Sequence, residues 1–308
     1  MVFSDLFFLF VFLPAFFLSY MLAAYVDRKW LSSHRCRNAC LVLFSLLFYA
    51  WGEPVYVFLM FALVFVNFHI GKFIDTQSSH RKLALNIGVI TNVLALGVFE
   101  YASLTATTLT MIGIPVPDPR TALPIGISFY IFQSISYLID VYKKESPAQR
   151  RFMDLLLYIS MFPQLIAGPI VRYGTIAEEI NGREVKMGDV ADGVFRFIYG
   201  LGKKVIIANQ MSIVAEQFLV NGFDGCTTTG AWIGILAYSL QVYFDFSGYS
   251  DMAIGIGRCL GFHFNENFRH PYCCNSITDF WHRWHISLGS FFRDYVYIPL
   301  GGNRRHQW

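Results

Sequence analysis

The chain has 308 residues, of which 55% are hydrophobic and 15% charged, and its formal net charge is +3. A soluble domain carries roughly 25% charged residues, so this composition argues against a water-soluble protein. The small net charge, without any run rich in lysine and arginine, argues against nucleic acid as a partner.

The apolar residues form long blocks that are candidate membrane spans, because a helix needs about 20 apolar residues to cross a bilayer core. The blocks are Val2–Tyr25, Arg37–Trp51, Val55–Gly71, Leu83–Leu104, Leu123–Tyr142, Phe152–Val171, Val194–Val220, Ala231–Phe246 and Tyr249–Phe262. Only helices and closed barrels satisfy their backbone in lipid, and the blocks lack the period-two alternation of a barrel. We therefore predict an all-α, polytopic integral membrane protein with one membrane domain over residues 1–308.

The loops between the first blocks alternate in charge. Basic loops at 27–37, 72–82 and 143–151 alternate with loops at 52–54 and 105–119, which hold no lysine or arginine. The positive-inside rule then predicts that the N-terminus faces outward and the basic loops face the cytoplasm. Beyond Val171 both signs of charge mix, which suits an amphipathic helix at the membrane interface.

Polar and helix-breaking residues inside apolar blocks are costly in a membrane and mark candidate functional positions. Gln133 and Ser134 either line a cavity or hold helices together. Pro163 and Pro169 flank Gln164 and exclude an uninterrupted helix. This break either lines a cavity or is a simple kink or helix end.

A third polar region surrounds Gly248, which we interpret as a hinge between two spans. Asp245 and Asp251 lie on either side of it, with Gln241 and Ser247 close by. Asp245, Ser247 and Gln241 are candidates for lining a substrate tunnel. The alternative is that both carboxylates lie at an interface near water and have no chemical role.

The fourth region predicts a helix N-terminus. Ser276 and Asp279 have the spacing of a capping box, so a helix should begin near Ile277 and continue through Leu288. Asp279 and Arg283 are four residues apart and can pair on one face of that helix.

On a continuous helix His285 shares a stripe with Trp281, Leu288 and Phe292, and this stripe is the face that we expect to be buried. A desolvated imidazole stays neutral, which suits a general base. The alternative is a core or interfacial histidine without chemistry. We expect His282 and Trp281 to line the polar path near it.

Zinc is a weaker interpretation of this stretch. Histidines and cysteines lie at His263, His270, Cys273, Cys274, His282 and His285. Their spacing fits no closed structural zinc site, so we expect no metal.

Four segments together resemble the membrane-bound O-acyltransferase family. They are LPIGISFYIFQSISYLIDVY (123–142), MFPQLIAGPIVRY (161–173), YSLQVYFDFSGYSDMAIGIGRCLGF (238–262) and SITDFWHRWHISLGSFFRDYVYIPLGGNR (276–304). The similarity is greatest to a bacterial branch that modifies exported polymers such as alginate. It implies a ring of tilted helices around a funnel in the bacterial inner membrane.

The resemblance also implies an activity. An acyl group, such as acetyl, moves from a cytoplasmic thioester donor, either acetyl-CoA or an acyl carrier, to a hydroxyl of an exported polysaccharide such as alginate. An acetyltransferase outside the cell membrane and the polymer export machinery are the implied partners, and no cofactor is tightly bound. His285 matches the first of the family's two catalytic histidines.

Two features depart from the family pattern. His282 stands where the family commonly has arginine, and the second histidine, in a Leu-Trp-His-Gly motif, is not found in these 308 residues. We therefore expect a C-terminally shortened member that cannot transfer acyl groups alone. One alternative is a catalytically inactive membrane scaffold, and a second is a relative that transfers D-alanyl groups or acylates peptidoglycan. Another is a transporter, which the lack of repeat symmetry disfavours.

Overall fold

The computed structural model describes residues 2–31, 33–76, 79–114, 123–219 and 227–304. These residues form helices and connecting turns, without a strand among them, which confirms the predicted all-α class. The helices are α1 Phe8–Leu31, α2 Arg35–Gly52, α3 Tyr56–Thr76, α4 Arg81–Met111, α5 Ile127–Lys143, α6 Phe152–Ser160, α7 Phe162–Leu165, α8 Tyr173–Gly182, α9 Met187–Gly202, α10 Asn209–Leu219, α11 Thr228–Cys259, α12 Ile277–Arg283 and α13 Ile286–Phe291. Wider helical turns at Lys203–Ala208 and Phe292–Tyr297 continue α9 and α13.

Within the described residues, α1, α3 and α4 are long and apolar enough to cross a membrane. They coincide with the blocks that begin at Val2, Val55 and Leu83. Helix α4 extends to Met111, so much of the threonine-rich segment predicted as a loop is helical, and its residues 115–119 lie outside the described part. The Thr107 and Thr108 hydroxyls donate to carbonyl oxygens four residues back, at 2.9 and 2.8 Å, which satisfies them without water.

Two of the predicted blocks differ in the structure. The blocks Ala231–Phe246 and Tyr249–Phe262 merge into the single helix α11, so Gly248 is not a hinge. The amphipathic segment expected after Val171 forms the ten-residue helix α8.

The predicted break near Pro163 is confirmed, because α6 ends at Ser160 and α7 is a separate short helix. The break frees backbone groups, and buried side chains satisfy two of them. The Phe162 N–H donates to Ser45 Oγ at 3.1 Å, and Gln164 Nε2 donates to the Tyr158 carbonyl at 2.5 Å. This arrangement gives the buried Gln164 amide a structural role at the break.

The chain folds into two compact units. The α2–α8 unit comprises residues 18–166 and 170–182 and the segment from Phe291, and the α9–α12 unit comprises residues 1–17, 167–169 and 183–290. The single domain over residues 1–308 and the ring around a funnel stay predictions.

Uncharged polar pairs join helices inside the α2–α8 unit. Asn67 of α3 and Asn92 of α4 are fully buried and donate to each other's Oδ1 at 3.2 and 2.7 Å. Each also donates to a carbonyl one turn earlier in its own helix. Such amide pairs satisfy polar groups that hydrocarbon cannot.

Glycines allow α9 and α11 to approach closely in the α9–α12 unit. A Cβ placed on Gly200 would lie 2.5 Å from the Gly248 carbonyl oxygen, and one on Gly193 would lie 2.6 Å from that of Gly255. The two glycine contacts are seven residues apart on both helices, as expected for one continuous face. Gly248 therefore serves packing, not bending.

Candidate functional site

The beginning of α12 forms as predicted from sequence. Ser276 Oγ accepts the Asp279 backbone N–H at 3.1 Å, which caps the helix at Ile277. Asp279 and Arg283 pair at 2.7 Å on one face. Both interactions span four residues or fewer, which is why the local sequence predicts them.

The prediction that this helix continues to Leu288 is wrong. Helix α12 ends at Arg283, and His285 adopts the left-handed region, with φ of 44°. The reason is a neighbouring loop that takes the backbone groups a helix would use. The Arg269 N–H donates to the Arg283 carbonyl at 3.0 Å, and the Ile286 N–H donates to the Asn267 carbonyl at 2.9 Å.

Because of this break, the predicted stripe of His285 with Trp281 and Leu288 does not exist. Trp281 is 63% exposed and contacts the ring of Phe280 edge-on. His282 is also exposed. Their assignment to a substrate path stays a prediction.

His285 is instead enclosed by the loop and by α11. Its Nδ1 lies 2.9 Å from Asn267 Oδ1, and its ring packs edge-on against Phe246, with centroids 4.8 Å apart, and beside Phe268. The residue is half-buried and lies outside the three candidate spans. Burial lowers the pKa of His285 to about 4, so the imidazole is neutral near pH 7.

Asn267 and Ser287 complete the surroundings of the imidazole, and the sequence had not singled them out. Asn267 is fully buried, and its Oδ1 also accepts the Ser287 backbone N–H at 3.3 Å and the Ser287 hydroxyl at 2.8 Å. The sequence feature that could have indicated Asn267 is its position between Phe264 and Phe268, because a polar residue among apolar ones is a candidate for burial.

The polar residues predicted on α11 have partners of their own. Asp245 Oδ1 pairs with Lys204 Nζ at 2.7 Å, and Gln241 Nε2 donates to Ser212 Oγ at 3.1 Å. Ser247 is buried, and its hydroxyl has no hydrogen-bond partner in the described part of the chain. All three belong to the same unit as His285, so a shared tunnel stays a prediction for that unit.

Gln133 and Gln164 belong to the α2–α8 unit. Gln133 is fully buried on α5, and neither atom of its amide has a hydrogen-bond partner among the described residues. Its backbone carbonyl accepts the Ser136 hydroxyl at 2.9 Å. An unsatisfied buried amide costs about 1–3 kcal/mol, so Gln133 remains a functional candidate in this unit.

Metal ligands do not cluster in the part of the chain that the structure describes. Across residues 2–31, 33–76, 79–114, 123–219 and 227–304, no three histidine, cysteine or acidic side chains lie close enough to hold an ion. The chemistry that this geometry offers is that of one neutral, oriented imidazole.

Comparison with known proteins gives the family. The family model of membrane-bound O-acyltransferases matches residues 12–307. The probable alginate O-acetylase AlgI of Pseudomonas syringae pv. tomato is 44% identical over 99% of this chain and 58% of its own length. The corresponding protein of Azotobacter vinelandii is 45% identical over 99% and 60%. The peptidoglycan O-acetyltransferase of Helicobacter pylori is 37% identical over 99% and 62%. The chain thus spans about three-fifths of the length of these relatives.

Proposed function

The chain belongs to the membrane-bound O-acyltransferase family, and from that premise we propose that the protein carrying it is a multi-pass membrane enzyme that transfers an acyl group to a hydroxyl of an exported polysaccharide. The observation that carries the proposal is the half-buried, neutral imidazole of His285, held at Nδ1 by Asn267. A group of this kind can accept the proton of an attacking hydroxyl.

The proposed reaction begins with proton transfer from the acceptor hydroxyl to Nε2 of His285. The hydroxyl oxygen bonds to the carbonyl carbon of an acyl thioester, and the carbon–sulfur bond breaks. The imidazolium then returns the proton to the leaving sulfur, so that the products are an ester and a free thiol and His285 is again neutral. We propose acetyl-CoA or an acyl carrier on the cytoplasmic side as the donor.

Alginate, or a polymer with similar free hydroxyls, is the acceptor that we propose. The support is identity of 44% and 45% to two probable alginate O-acetylases, against 37% to a peptidoglycan O-acetyltransferase. Peptidoglycan is the second candidate. A partner acetyltransferase outside the inner membrane would receive the acyl group where the final acceptor is remote from this protein.

The proposed topology places the N-terminus outside the inner membrane, on the basis of the alternating basic loops. The structure offers two fusion points that interrupt no helix, Ser33 before α2 and Gly113 after α4. The three apolar blocks predicted as spans from Arg37, Val55 and Leu83 lie between them, so reporters at these positions should lie on opposite sides. Reporters on the same side would overturn this topology.

The test of function uses the intact protein in a strain that lacks its own copy. Because His285 has a positive φ, alanine there would add backbone strain, whereas asparagine tolerates this region and keeps a polar side chain. His285→Asn should lower alkali-labile acetate on the exported polymer by about 100-fold or more, as for loss of a general base.

The matched control is His263→Ala, an exposed histidine in the neighbouring loop, which should retain normal acetylation. Protein amounts in the membrane are compared for each variant. Near-normal acetylation by His285→Asn would overturn the base assignment. Loss of acetylation by both variants would show that the loop, and not the imidazole, is what matters.

A further inference from the structure

The orientation of His285 depends on the loop between α11 and α12, whose only regular element in the described residues is a short 3-10 turn at Pro271–Cys273. Residues between α11 and α12 run beside the break that contains His285, and one backbone hydrogen bond joins them on each side of it, through Arg269 and through Ile286. A left-handed residue other than glycine costs of order 1–3 kcal/mol, so the conformation of His285 has to be held by its surroundings. Asn267 lies in this loop and is fully buried.

The hydrogen bonds of Asn267 fix which atom of its amide faces His285. The Ser287 backbone N–H can only donate, and it points at the same Asn267 atom that lies 2.9 Å from His285 Nδ1. That atom is therefore the carbonyl oxygen, and Nδ1 must carry the proton. In a neutral ring the lone pair is then on Nε2.

An arginine on α9 anchors the residue before Asn267. Arg196 donates to both oxygens of Glu266 and, at 2.8 Å, to Asp251 Oδ1 of α11. Lys203 donates to the other Asp251 oxygen at 2.6 Å. This bidentate pairing holds the pKa of Glu266 below its usual range, so the anchor stays charged near pH 7.

We propose that Asn267 is a positioning residue that holds His285 as the Nδ1–H tautomer with Nε2 free for the acceptor hydroxyl, and that the Arg196–Glu266 pair fixes the loop that presents it. The catalytic consequence rests on the proposed function, whereas the tautomer itself does not. If the Asn267 side chain did not face Nδ1, replacing its amide by a carboxylate of the same shape would leave the titration of His285 unchanged.

The charged groups around His285 are engaged elsewhere or exposed. On the loop these are Glu266, paired with Arg196, and the exposed Arg269. Arg283 of α12 pairs with Asp279, and Asp245 of α11 pairs with Lys204. A new carboxylate at position 267 would therefore be the dominant charge acting on the imidazole.

The test measures the pH dependence of His285 carbethoxylation by diethylpyrocarbonate in the purified, detergent-solubilised intact protein. The reagent attacks the unprotonated imidazole, and mass spectrometry identifies the peptide that contains His285. This readout requires no acyl transfer, so it separates failure of the tautomer from failure of the proposed function.

Wild-type His285 should react down to about pH 5, because its pKa is about 4. Asn267→Asp should raise the midpoint by about 1–3 pH units, since a carboxylate beside Nδ1 favours the imidazolium. The pH below which acyl transfer is lost should shift upward by the same amount. Asn265→Asp, which adds the same charge at an exposed position of the loop, should leave the midpoint near that of the wild type.

Asn267→Leu removes the acceptor and should lower transfer by about 10–100-fold, as for loss of a partner that orients a functional histidine. Glu266→Gln should lower it less, because the amide still accepts from Arg196. An unchanged midpoint in Asn267→Asp would overturn the proposal, as would absence of His285 modification in the wild type at every pH. If the midpoint of His285 modification is raised in Asn267→Asp while His285→Asn still transfers acyl groups fully, the tautomer is supported and the proposed function is refuted.

Discussion

The two units hold their buried polar groups in different ways. In the middle of its helices the α2–α8 unit carries amides and hydroxyls, such as Asn67 with Asn92, and its buried Asp27 lies at a helix end, where it accepts two backbone N–H groups at the start of α2. The α9–α12 unit carries Arg196 and Asp251 in mid-helix and pairs them. The mid-helix pair of Arg196 with Asp251 lies in the unit that contains His285, whereas the ion pair of Asp27 with Arg37 in the α2–α8 unit lies near helix ends.

The largest expected effect on stability comes from the glycine contacts between α9 and α11. Gly200→Leu would drive a side chain into the Gly248 backbone, which cannot shift without separating α9 from α11. We expect overpacking of about 3 kcal/mol and little folded protein in the membrane, measured by thermal aggregation in detergent.

Gly188→Leu is the matched control, because it lies on the same helix with no atom within 4 Å of the added Cβ. It should accumulate like the wild type. Equal loss of protein in both variants would mean that α9 tolerates no leucine anywhere, and that the close approach is not the cause.

Next in size is the loss of the Arg196 anchor. Arg196→Met leaves Glu266 without a cation and should cost about 1–3 kcal/mol, reduced from a fully buried pair because both side chains are partly exposed. Acyl transfer should fall further than stability, since the loop presents Asn267. Arg258→Met, which breaks the exposed pair with Asp192, should change neither quantity; equal effects in both arginine variants would contradict the anchor.

An effect of comparable size, but non-additive, is expected in the α2–α8 unit. Asn67→Leu alone strands the Asn92 amide in an apolar interior and should cost about 1–3 kcal/mol. Adding Asn92→Leu should recover most of that loss, because both polar groups are then gone. Thermal denaturation of the two single variants and the double variant gives the coupling, and simple additivity would show that the pair is not a unit.

The smallest effect concerns the cap of α12. Ser276→Ala removes the acceptor for the Asp279 N–H and should cost about 0.5–2 kcal/mol, with a modest loss of transfer. Ser276→Asp should retain both, since aspartate caps as well as serine. If Ser276→Ala and Ser276→Asp have the same transfer and stability, the cap of α12 does not contribute to the site.

Local patterns predicted what local interactions decide. The start of α12 and the Asp279–Arg283 pair follow from spacings of three and four residues, and the break at Pro163 follows from the missing N–H. The end of α12 depends on backbone groups of Asn267 and Arg269, in the loop that precedes the helix, which no local pattern contains. The apolar periodicity alone therefore predicted, wrongly, a helix that continues through His285.

Gly248 shows the same limit. A glycine between two apolar stretches is compatible with a hinge or with close packing, and only the partner surface decides between them. Gly200, far away in sequence, supplies that surface. Asn267 was missed for a related reason, because its role depends on Ser287 and His285 meeting it across the loop.

Chemical rescue tests whether the imidazole of His285 is the base. His285→Gly keeps the left-handed backbone without strain and leaves space where the ring was. Acyl transfer by membranes containing the intact variant should be close to background and should rise by at least about tenfold on addition of imidazole, while His285→Asn, whose side chain fills the space, does not respond. Transfer by His285→Gly at the wild-type rate without imidazole would contradict the account.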